Sequence, residues 1–128
     1  MSNEKPAHGT FCWNELMTRD SAAAEKFYTQ LLGWNANNKS MTGMKYTLYK
    51  AGEKDAGGMM DMPPDVPKEV PSHWMAYITV DDVDSLVEKT KELGGQVLAE
   101  PQDIPKVGRF CVIQDPTGAV VGLIKLSG

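Results

Sequence analysis

The sequence predicts an α+β fold built from two tandem βαβββ modules in a single domain. The sequence of the second half predicts an apolar strand, a helix and three further strands, in that order. The first half predicts the same order. In both halves thirteen positions separate a helix-capping aspartate from a helix-ending glycine: Asp20 to Gly33, and Asp81 to Gly94. The equal spacing indicates an internal duplication.

The first half begins with a strand predicted from Thr10 to Thr18. Alternation along it places Trp13, Glu15 and Met17 on one face. Asp20 is suited to capping the following helix and Gly33 to ending it. The three remaining strands are predicted at Asn35 to Met41, Met44 to Ala51 and Gly57 to Met62. The paired glycines in the last strand indicate that another group approaches its backbone closely.

The second half begins with a strand predicted from His73 to Val80. A helix from Asp81 to Leu93, a strand from Gln96 to Glu100 and a loop from Pro101 to Gly108 follow. A closing hairpin then joins Phe110–Gln114 to Ala119–Leu126 through the turn Asp115-Pro116-Thr117-Gly118. Proline presets the first turn dihedral, aspartate caps the turn and glycine accepts a positive φ.

A proline-rich segment separates the two modules. Residues 63–71 carry four of the eight prolines and are predicted to be a stiff, extended linker between a module at 9–62 and a module at 72–128. It is too short for free motion between domains. Met1 to Gly9 are predicted to be a polar leader with little to bury, with His8 solvated within it.

Composition argues against several classes of protein. The net charge is -4 and charges of both signs are interspersed, which speaks against a nucleic-acid partner. No apolar run approaches the roughly 18 residues of a membrane span, and the start lacks a signal-peptide pattern, so a cytoplasmic protein without a membrane partner is predicted. Cys12 and Cys111 are too few for a disulfide framework, and both are predicted to be reduced.

One motif resembles a known family. The first helix and its end show D-x-x-x-A-x-x-F-Y-x-x-L-L-G-W, and the closing turn shows D-P-T-G; the motif residues are Asp20, Ala24, Phe27, Tyr28, Leu31, Leu32, Gly33 and Trp34. With two βαβββ units, this resembles the vicinal oxygen chelate superfamily, which includes glyoxalase I, extradiol dioxygenases and bleomycin-resistance proteins. The resemblance implies two modules joined edge to edge into a curved eight-stranded sheet that encloses a cleft, and a homodimer.

The resemblance also implies four positions for metal ligands. In metal-using members each module contributes one ligand from its first strand and one from its last strand. The matching positions here are Trp13, Met75, Gly122 and one near Met59, and none of these side chains suits a divalent ion. No metal or other cofactor is therefore expected, with a displaced divalent-metal site as the alternative.

Glu15 and His73 form the candidate catalytic pair. If the two first strands pair antiparallel with Trp13 opposite Met75, then Glu15 lies opposite His73. The carboxylate would favour the charged imidazole, giving a ligand-orienting dyad or a general base. In the alternative interpretation, Glu15 is satisfied by backbone or by Arg19, and His73 is a solvated residue at the end of a strand.

The predicted function is the binding of a small apolar or aromatic molecule, as in the glyoxalase and bleomycin-resistance branch. The residues expected to line the pocket are Trp13, Met17, Tyr46, Met59, Met75, Tyr77 and Gly122. Arg109 is a weaker candidate for holding an anionic ligand. The alternative is a lyase, isomerase or dioxygenase that uses Glu15 and His73. A third class is a structural or regulatory subunit with a vestigial pocket.

Overall fold

The computed structural model describes residues 6–41, 44–104 and 107–127. This part of the chain contains eight strands and two helices. In chain order they are β1 Thr10–Thr18, α1 Ser21–Leu32, β2 Asn35–Met41, β3 Met44–Ala51, β4 Lys54–Asp61, β5 His73–Thr79, α2 Val83–Glu92, β6 Gln96–Ile104, β7 Gly108–Gln114 and β8 Val120–Leu126.

The same βαβββ order occurs twice. The first module comprises β1, α1 and β2 to β4, with its strands in the order β2-β3-β4-β1; the second comprises β5, α2 and β6 to β8, in the order β5-β8-β7-β6. In each module the first strand runs parallel to the last, and the other pairs are antiparallel. The predicted α+β class and the repeated βαβββ order are confirmed.

The chain also divides into two compact units. One spans Asn14–Met75, and the other combines the chain before Asn14 with the chain after Met75. The predicted linker, residues 63–71, lies within the first of these units. The single-domain organisation and the module boundaries stay predictions.

Helix α1 has the predicted ends. The Asp20 side chain accepts a 3.0 Å hydrogen bond from the Ala23 amide, which satisfies one of the free donors in the first turn. Gly33 adopts a left-handed conformation with φ of 72° and donates its amide to Thr29 O, so it ends the helix as expected.

The predicted cap of α2 was wrong by one residue. Asp82 is the N-cap and accepts from the Ser85 amide, whereas the Asp81 amide donates to His8 Nδ1 at 2.9 Å. His8 is therefore tied to the second module instead of being merely solvated. The thirteen-residue spacing that indicated duplication holds for the sequence but not for the actual caps. Met1–Lys5 of the predicted leader lie outside the described residues.

Each module packs its own apolar cluster between helix and strands. The cluster of the first module consists of Leu16, Tyr49 and Met59, with Ala24, Tyr28, Trp34, Ala36 and Ala56 packed against it. The cluster of the second module consists of Val80, Val83, Val87, Cys111 and Leu123, with Ile78, Leu86, Val97 and Ile113 packed against it. These clusters define the helix-facing side of each set of strands.

The proline-rich linker is not extended. Val66 donates its amide to Pro63 O and Val70 donates to Pro67 O, which makes two successive turns. The Arg19 guanidinium donates to Pro67 O at 2.8 Å and to Val70 O at 2.8 and 3.0 Å. Proline fixes φ but leaves ψ open, so four prolines are compatible with turns as well as with extended chain.

Strand β6 is longer than predicted. It continues through Pro101 to Ile104, and its pairing with β7 shifts register on both sides of Ala99. Proline is tolerated because β6 pairs on one side only and the ladder is already irregular there. The Pro105 of the predicted loop lies outside the described residues. Within the described part of the chain, neither helix has the length and apolar composition needed to cross a membrane.

Candidate functional site

Glu15 is a buried carboxylate on the side of β1 that faces away from α1. Its neighbour Leu16 belongs to the helix-facing cluster, so alternation along the strand turns Glu15 to the opposite face. Glu15 is only 8% exposed. A buried acidic side chain requires polar partners, and such groups are concentrated at functional sites, so the surroundings of Glu15 are the candidate site.

Tyr46 supplies such a partner. Its hydroxyl donates a 2.9 Å hydrogen bond to Glu15 Oε2. Gly58 lies directly beside Glu15 in the parallel pairing of β1 with β4, and the Tyr46 phenol occupies the space that a Cβ at Gly58 would need. The glycine-rich strand therefore gives up a side chain so that a tyrosine can cross it, which confirms the close approach expected from the paired glycines.

Two methionines extend the same face. Met17 lies beside Met60, and Met60 lies beside Tyr46. Both methionines are half-buried. The face of the first module opposite α1 thus combines a buried carboxylate, a phenol and two thioethers, a combination typical of small-molecule sites.

The second module contains a related arrangement. Tyr77 lies beside Gly122 in the parallel pairing of β5 with β8, and its ring occupies the space of a Cβ at Gly122. Phe110 packs against Tyr77 with ring centroids 6.3 Å apart. Tyr77 is buried and Phe110 half-buried.

The strand registers make these two arrangements counterparts. Glu15 and Gly58 pair in the first module as Tyr77 and Gly122 pair in the second. Tyr46 pairs with Met60 as Phe110 pairs with Ile124; these residues hold the same places in the two repeats. At equivalent positions, therefore, the first module has the polar pair Glu15 and Tyr46, and the second module has the aromatic pair Tyr77 and Phe110.

Met59 does not share the face of Glu15. It is 1% exposed and packs with Leu16 and Tyr49 on the helix-facing side. The correct counterpart of Gly122 in the first module is Gly58. Because side chains alternate along a strand, an error of one residue moves a side chain to the other face. The adjacent Met59 and Met60 are the same residue type, so the sequence does not indicate which of them faces Glu15.

The remaining predicted pocket residues keep the expected alternation. Trp13 is half-buried and falls on the same side of β1 as Glu15, and Met75 is buried and falls on the same side of β5 as Tyr77. Ile78 and Val80, which alternate with Tyr77 and Thr79, pack in the cluster around α2 on the other side. Whether the pocket residues together line a ligand site stays a prediction.

The partnership of Glu15 with His73 also stays a prediction. His73 Nδ1 lies 2.9 Å from Pro71 O. Both residues belong to the compact unit Asn14–Met75. In the other unit the Gly9 amide donates to Thr79 O at 2.8 Å, and an antiparallel ladder continued from this pair would set Glu15 opposite His73.

Two arginines have structural partners. The Arg19 guanidinium binds the linker carbonyls at Pro67 and Val70. Arg109 forms a two-point contact with Asp84, at 2.9 and 3.0 Å, and a 3.1 Å contact with Asp103. Because the Arg109 guanidinium already binds these two carboxylates, it is less suited to bind an anionic ligand. The hydrogen bond to Arg109 lowers the pKa of the Asp84 carboxyl.

The residues at the family's metal positions do not fit a metal. Trp13, Met75, Gly122 and Gly58 offer no side chain that ligates a divalent ion. Across residues 6–41, 44–104 and 107–127, no group of three His, Cys, Asp or Glu side chains is arranged to hold an ion. Both cysteines are free thiols, and burial raises the pKa of Cys111 to about 11, which keeps it protonated at neutral pH.

Sequence reasoning did not foresee the roles of Tyr46, Met60 and Phe110 around the two glycines. The sequence predicts Tyr46 to line the pocket and does not predict a partner for its hydroxyl. The hydrogen bond from Tyr46 to Glu15 joins residues on β3 and β1, which are not adjacent in the sheet, and no local pattern predicts it. The Gly57-Gly58 pair was the one usable signal.

Several known proteins are similar to this chain in sequence. Residues 10–123 match the Glyoxalase/Bleomycin resistance protein/Dioxygenase superfamily. The protein of Mycobacterium tuberculosis named "Putative glyoxylase CFP32" is 43% identical over 118 residues, covering 91% of this chain and 44% of that protein. The anthracycline biosynthesis protein DnrV of Streptomyces peucetius is 32% identical over 125 residues, covering 88% of this chain and 46% of that protein. The chain therefore spans less than half the length of these relatives.

Solved structures agree on the fold. Methylmalonyl-CoA epimerase from Mycobacterium tuberculosis superposes with a TM-score of 0.66 at 12% identity, over 98% of this chain and 95% of that chain. An extradiol ring-cleaving dioxygenase from B. fuscum superposes with a TM-score of 0.64 at 16% identity, over 96% of this chain and 34% of that chain. With the repeated βαβββ order and the sequence match over residues 10–123, the chain belongs to the glyoxalase/bleomycin resistance protein/dioxygenase superfamily.

Proposed function

We propose that this protein binds a small apolar or aromatic molecule on the face of the first module opposite α1, without the metal of the wider superfamily. The main support for this proposal is the buried Glu15 carboxylate, which accepts a hydrogen bond from Tyr46 next to Gly58, a residue without a side chain. A carboxylate has several acceptor positions, so a ligand hydroxyl or ammonium can join Tyr46 in binding it.

The surroundings of Glu15 support an apolar ligand. Met17 and Met60 are flexible and polarizable, and such side chains adapt to flat aromatic surfaces. One charged anchor within an apolar lining fixes the orientation of a ligand while burial supplies most of the affinity. An aromatic ligand also agrees with the anthracycline biosynthesis after which DnrV is named.

A titration with daunorubicin tests this proposal, because this fluorescent anthracycline combines fused aromatic rings with a protonated amine. We expect saturable binding at one site, weakened at least about tenfold in Glu15→Gln, in line with the loss of a charge-assisted hydrogen bond. Glu53→Gln, in the exposed turn between β3 and β4, is the control and should bind like the wild type. Equal affinity in Glu15→Gln, or no saturation up to about 1 mM, would contradict the proposal.

The second candidate function is an enzyme that removes a proton with Glu15 or His73. The bond from Gly9 to Thr79 supports it, since an antiparallel ladder continued from this bond would bring these two residues opposite each other. The ring nitrogen shifts of His73, measured by NMR at neutral pH, should then change in Glu15→Gln. Unchanged chemical shifts of His73 would show that it does not interact with Glu15, and would exclude this enzymatic function in favour of ligand binding.

A further inference from the structure

A short segment before β1 is attached to the second module. The Thr10 amide donates to Ala7 O at 3.0 Å and Gly9 has a φ of 90°, so residues 7–10 form a tight turn with glycine at the position that needs a positive φ. The Gly9 amide in turn donates to Thr79 O at 2.8 Å. The backbone of the segment is therefore joined to the end of β5.

The His8 side chain provides a second attachment. Its Nδ1 lies 2.9 Å from the Asp81 backbone nitrogen, and a backbone N–H can only donate. Nδ1 must therefore accept, which requires a neutral imidazole with its proton on Nε2. The bond from Gly9 to Thr79 joins two backbone groups and is independent of pH, whereas the bond from Asp81 to His8 exists only with the uncharged ring.

The charged groups near His8 are poor substitutes for this bond. The Asp81 carboxylate lies 3.8 Å from Nδ1, but its side chain is 88% exposed and that of His8 is 50% exposed, so water screens an ion pair between them and leaves it weak. The Asp82 carboxylate accepts from the Ser85 amide as the N-cap of α2. Lys125 on β8 is itself a cation and offers a charged imidazole no acceptor.

A cavity adjoins this segment. It has a volume of about 330 Å³ and is lined by Pro6, Thr79, Val80, Asp81, Lys125 and Leu126. Thr79 and Val80 are each only 5% exposed although they border it. Among the lining residues, Pro6 alone comes from the N-terminal segment. Because Pro6 is two residues from His8, the attachment of the imidazole also determines whether this wall of the cavity stays in place.

We propose that His8 is a pH-sensitive latch, which keeps Pro6 at the cavity while the imidazole is neutral and releases it when the ring is charged. Imidazole changes charge between about pH 5 and pH 8. Protonation places a hydrogen on Nδ1, so that two donors face each other and the ring must turn away from the Asp81 amide. The backbone bond at Gly9 remains and acts as the pivot, and the cavity opens to solvent.

NMR of the full chain across this pH range tests the latch. In the wild type, the amide proton shift of Asp81 should change with the same midpoint as the ring protons of His8. His8→Asn is the matched variant, because the side-chain oxygen of asparagine can accept in place of Nδ1 but does not titrate, so its Asp81 amide shift should stay constant. His73→Gln, which removes the other histidine of the chain, should behave like the wild type.

A soluble gadolinium chelate measures the opening of the cavity. In the wild type, its relaxation effect on the Thr79 methyl group should be at least about twofold larger at the acidic end of the range than at the basic end, as expected for local opening. His8→Asn should show the smaller effect throughout, and His8→Ala, which lacks the acceptor, should show the larger effect throughout. Constant methyl shifts of Leu123 in the core should accompany these changes and show that the module stays folded.

Two results would overturn the proposal. One is an Asp81 amide shift that does not follow the titration of His8, or that changes equally in His8→Asn. The other is a Thr79 methyl group that the chelate reaches to the same extent at both ends of the pH range in the wild type.

Discussion

The hydroxyl of Tyr46 lies where a Cβ of Gly58 would have to be. The tyrosine crosses β4 at this residue and reaches Glu15 on β1. On β8 the space of a Cβ at Gly122 is occupied instead by the ring of Tyr77, which pairs directly with this glycine from the neighbouring β5. Neither glycine is among those with a positive φ, so both are needed for the space they leave rather than for backbone conformation.

Substitution Gly58→Ala should therefore destabilise the protein by about 1–3 kcal/mol, as expected for overpacking in a filled interior. The added methyl group must push the Tyr46 phenol away and so break its bond to Glu15. Urea unfolding of the wild type and variant measures the loss of unfolding free energy.

The matching control removes the group that collides. In a Tyr46→Ala background, the space above Gly58 is free, and Gly58→Ala should cost clearly less than in the wild type. If the alanine costs the same in both backgrounds, the tyrosine is not the reason for the glycine.

Tyr46→Phe tests the hydrogen bond alone. It keeps the ring but leaves the buried Glu15 carboxylate without this donor, which should reduce the unfolding free energy by about 1–3 kcal/mol. Tyr49→Phe is the comparison, since the hydroxyl of this buried tyrosine donates to the Met59 sulfur at 3.4 Å, a weak acceptor. Thermal unfolding should show a larger loss of stability for Tyr46→Phe than for Tyr49→Phe. Equal losses would show that the hydrogen bond to Glu15 stabilises the protein no more than the contact with the Met59 sulfur.

Arg19 should hold the linker closed. Arg19→Gln removes the donors to Pro67 O and Val70 O, so the two turns should open more often. Cleavage after Lys68 by a lysine-specific protease should then become at least about threefold faster. Arg109→Gln, which loses contacts to Asp84 and Asp103 instead, should leave that cleavage rate unchanged. A similar acceleration in both variants would point to general unfolding.

The sequence predicted those parts of the fold that depend on short-range patterns. Strands β1, β2 and β3 have the predicted bounds, because glycines at positions 9, 33, 43 and 52 lie close to their ends and break the extended pattern there. Asp20 and Gly33 were recognised as the ends of α1, because each satisfies a local need of the helix backbone. Local patterns failed where neighbouring residues were equivalent, as for Asp81 and Asp82.

The candidate site was predictable only in part. Glu15 could be placed on its face by alternation, but Met59 and Met60 differ by one position in a glycine-rich run, and nothing in the sequence fixes which of them shares that face. The bond from Tyr46 to Glu15 depends on the order of strands in space. Tertiary contacts of this kind require the structure.

The closing turn is built around Asp115. Its Oδ1 accepts hydrogen bonds from the Thr117 hydroxyl at 2.6 Å, the Thr117 amide at 2.8 Å and the Ala119 amide at 3.0 Å. The Thr117 hydroxyl, followed by the amides of Ala119 and Thr117, lowers the pKa of this carboxyl below its ordinary value. The charged form is thus stabilised in the folded protein relative to the unfolded chain.

Because the folded pKa of Asp115 lies below the unfolded value of about 3.9, its contribution to stability is complete above that pH and is lost as the pH falls through the folded pKa. Asp115→Asn should therefore be less stable than the wild type by a constant margin from about pH 7 to pH 5, and the margin should shrink below about pH 4. Urea unfolding at several pH values measures it. A margin that is the same at about pH 3 as at neutral pH would show that the carboxylate charge does not stabilise the turn.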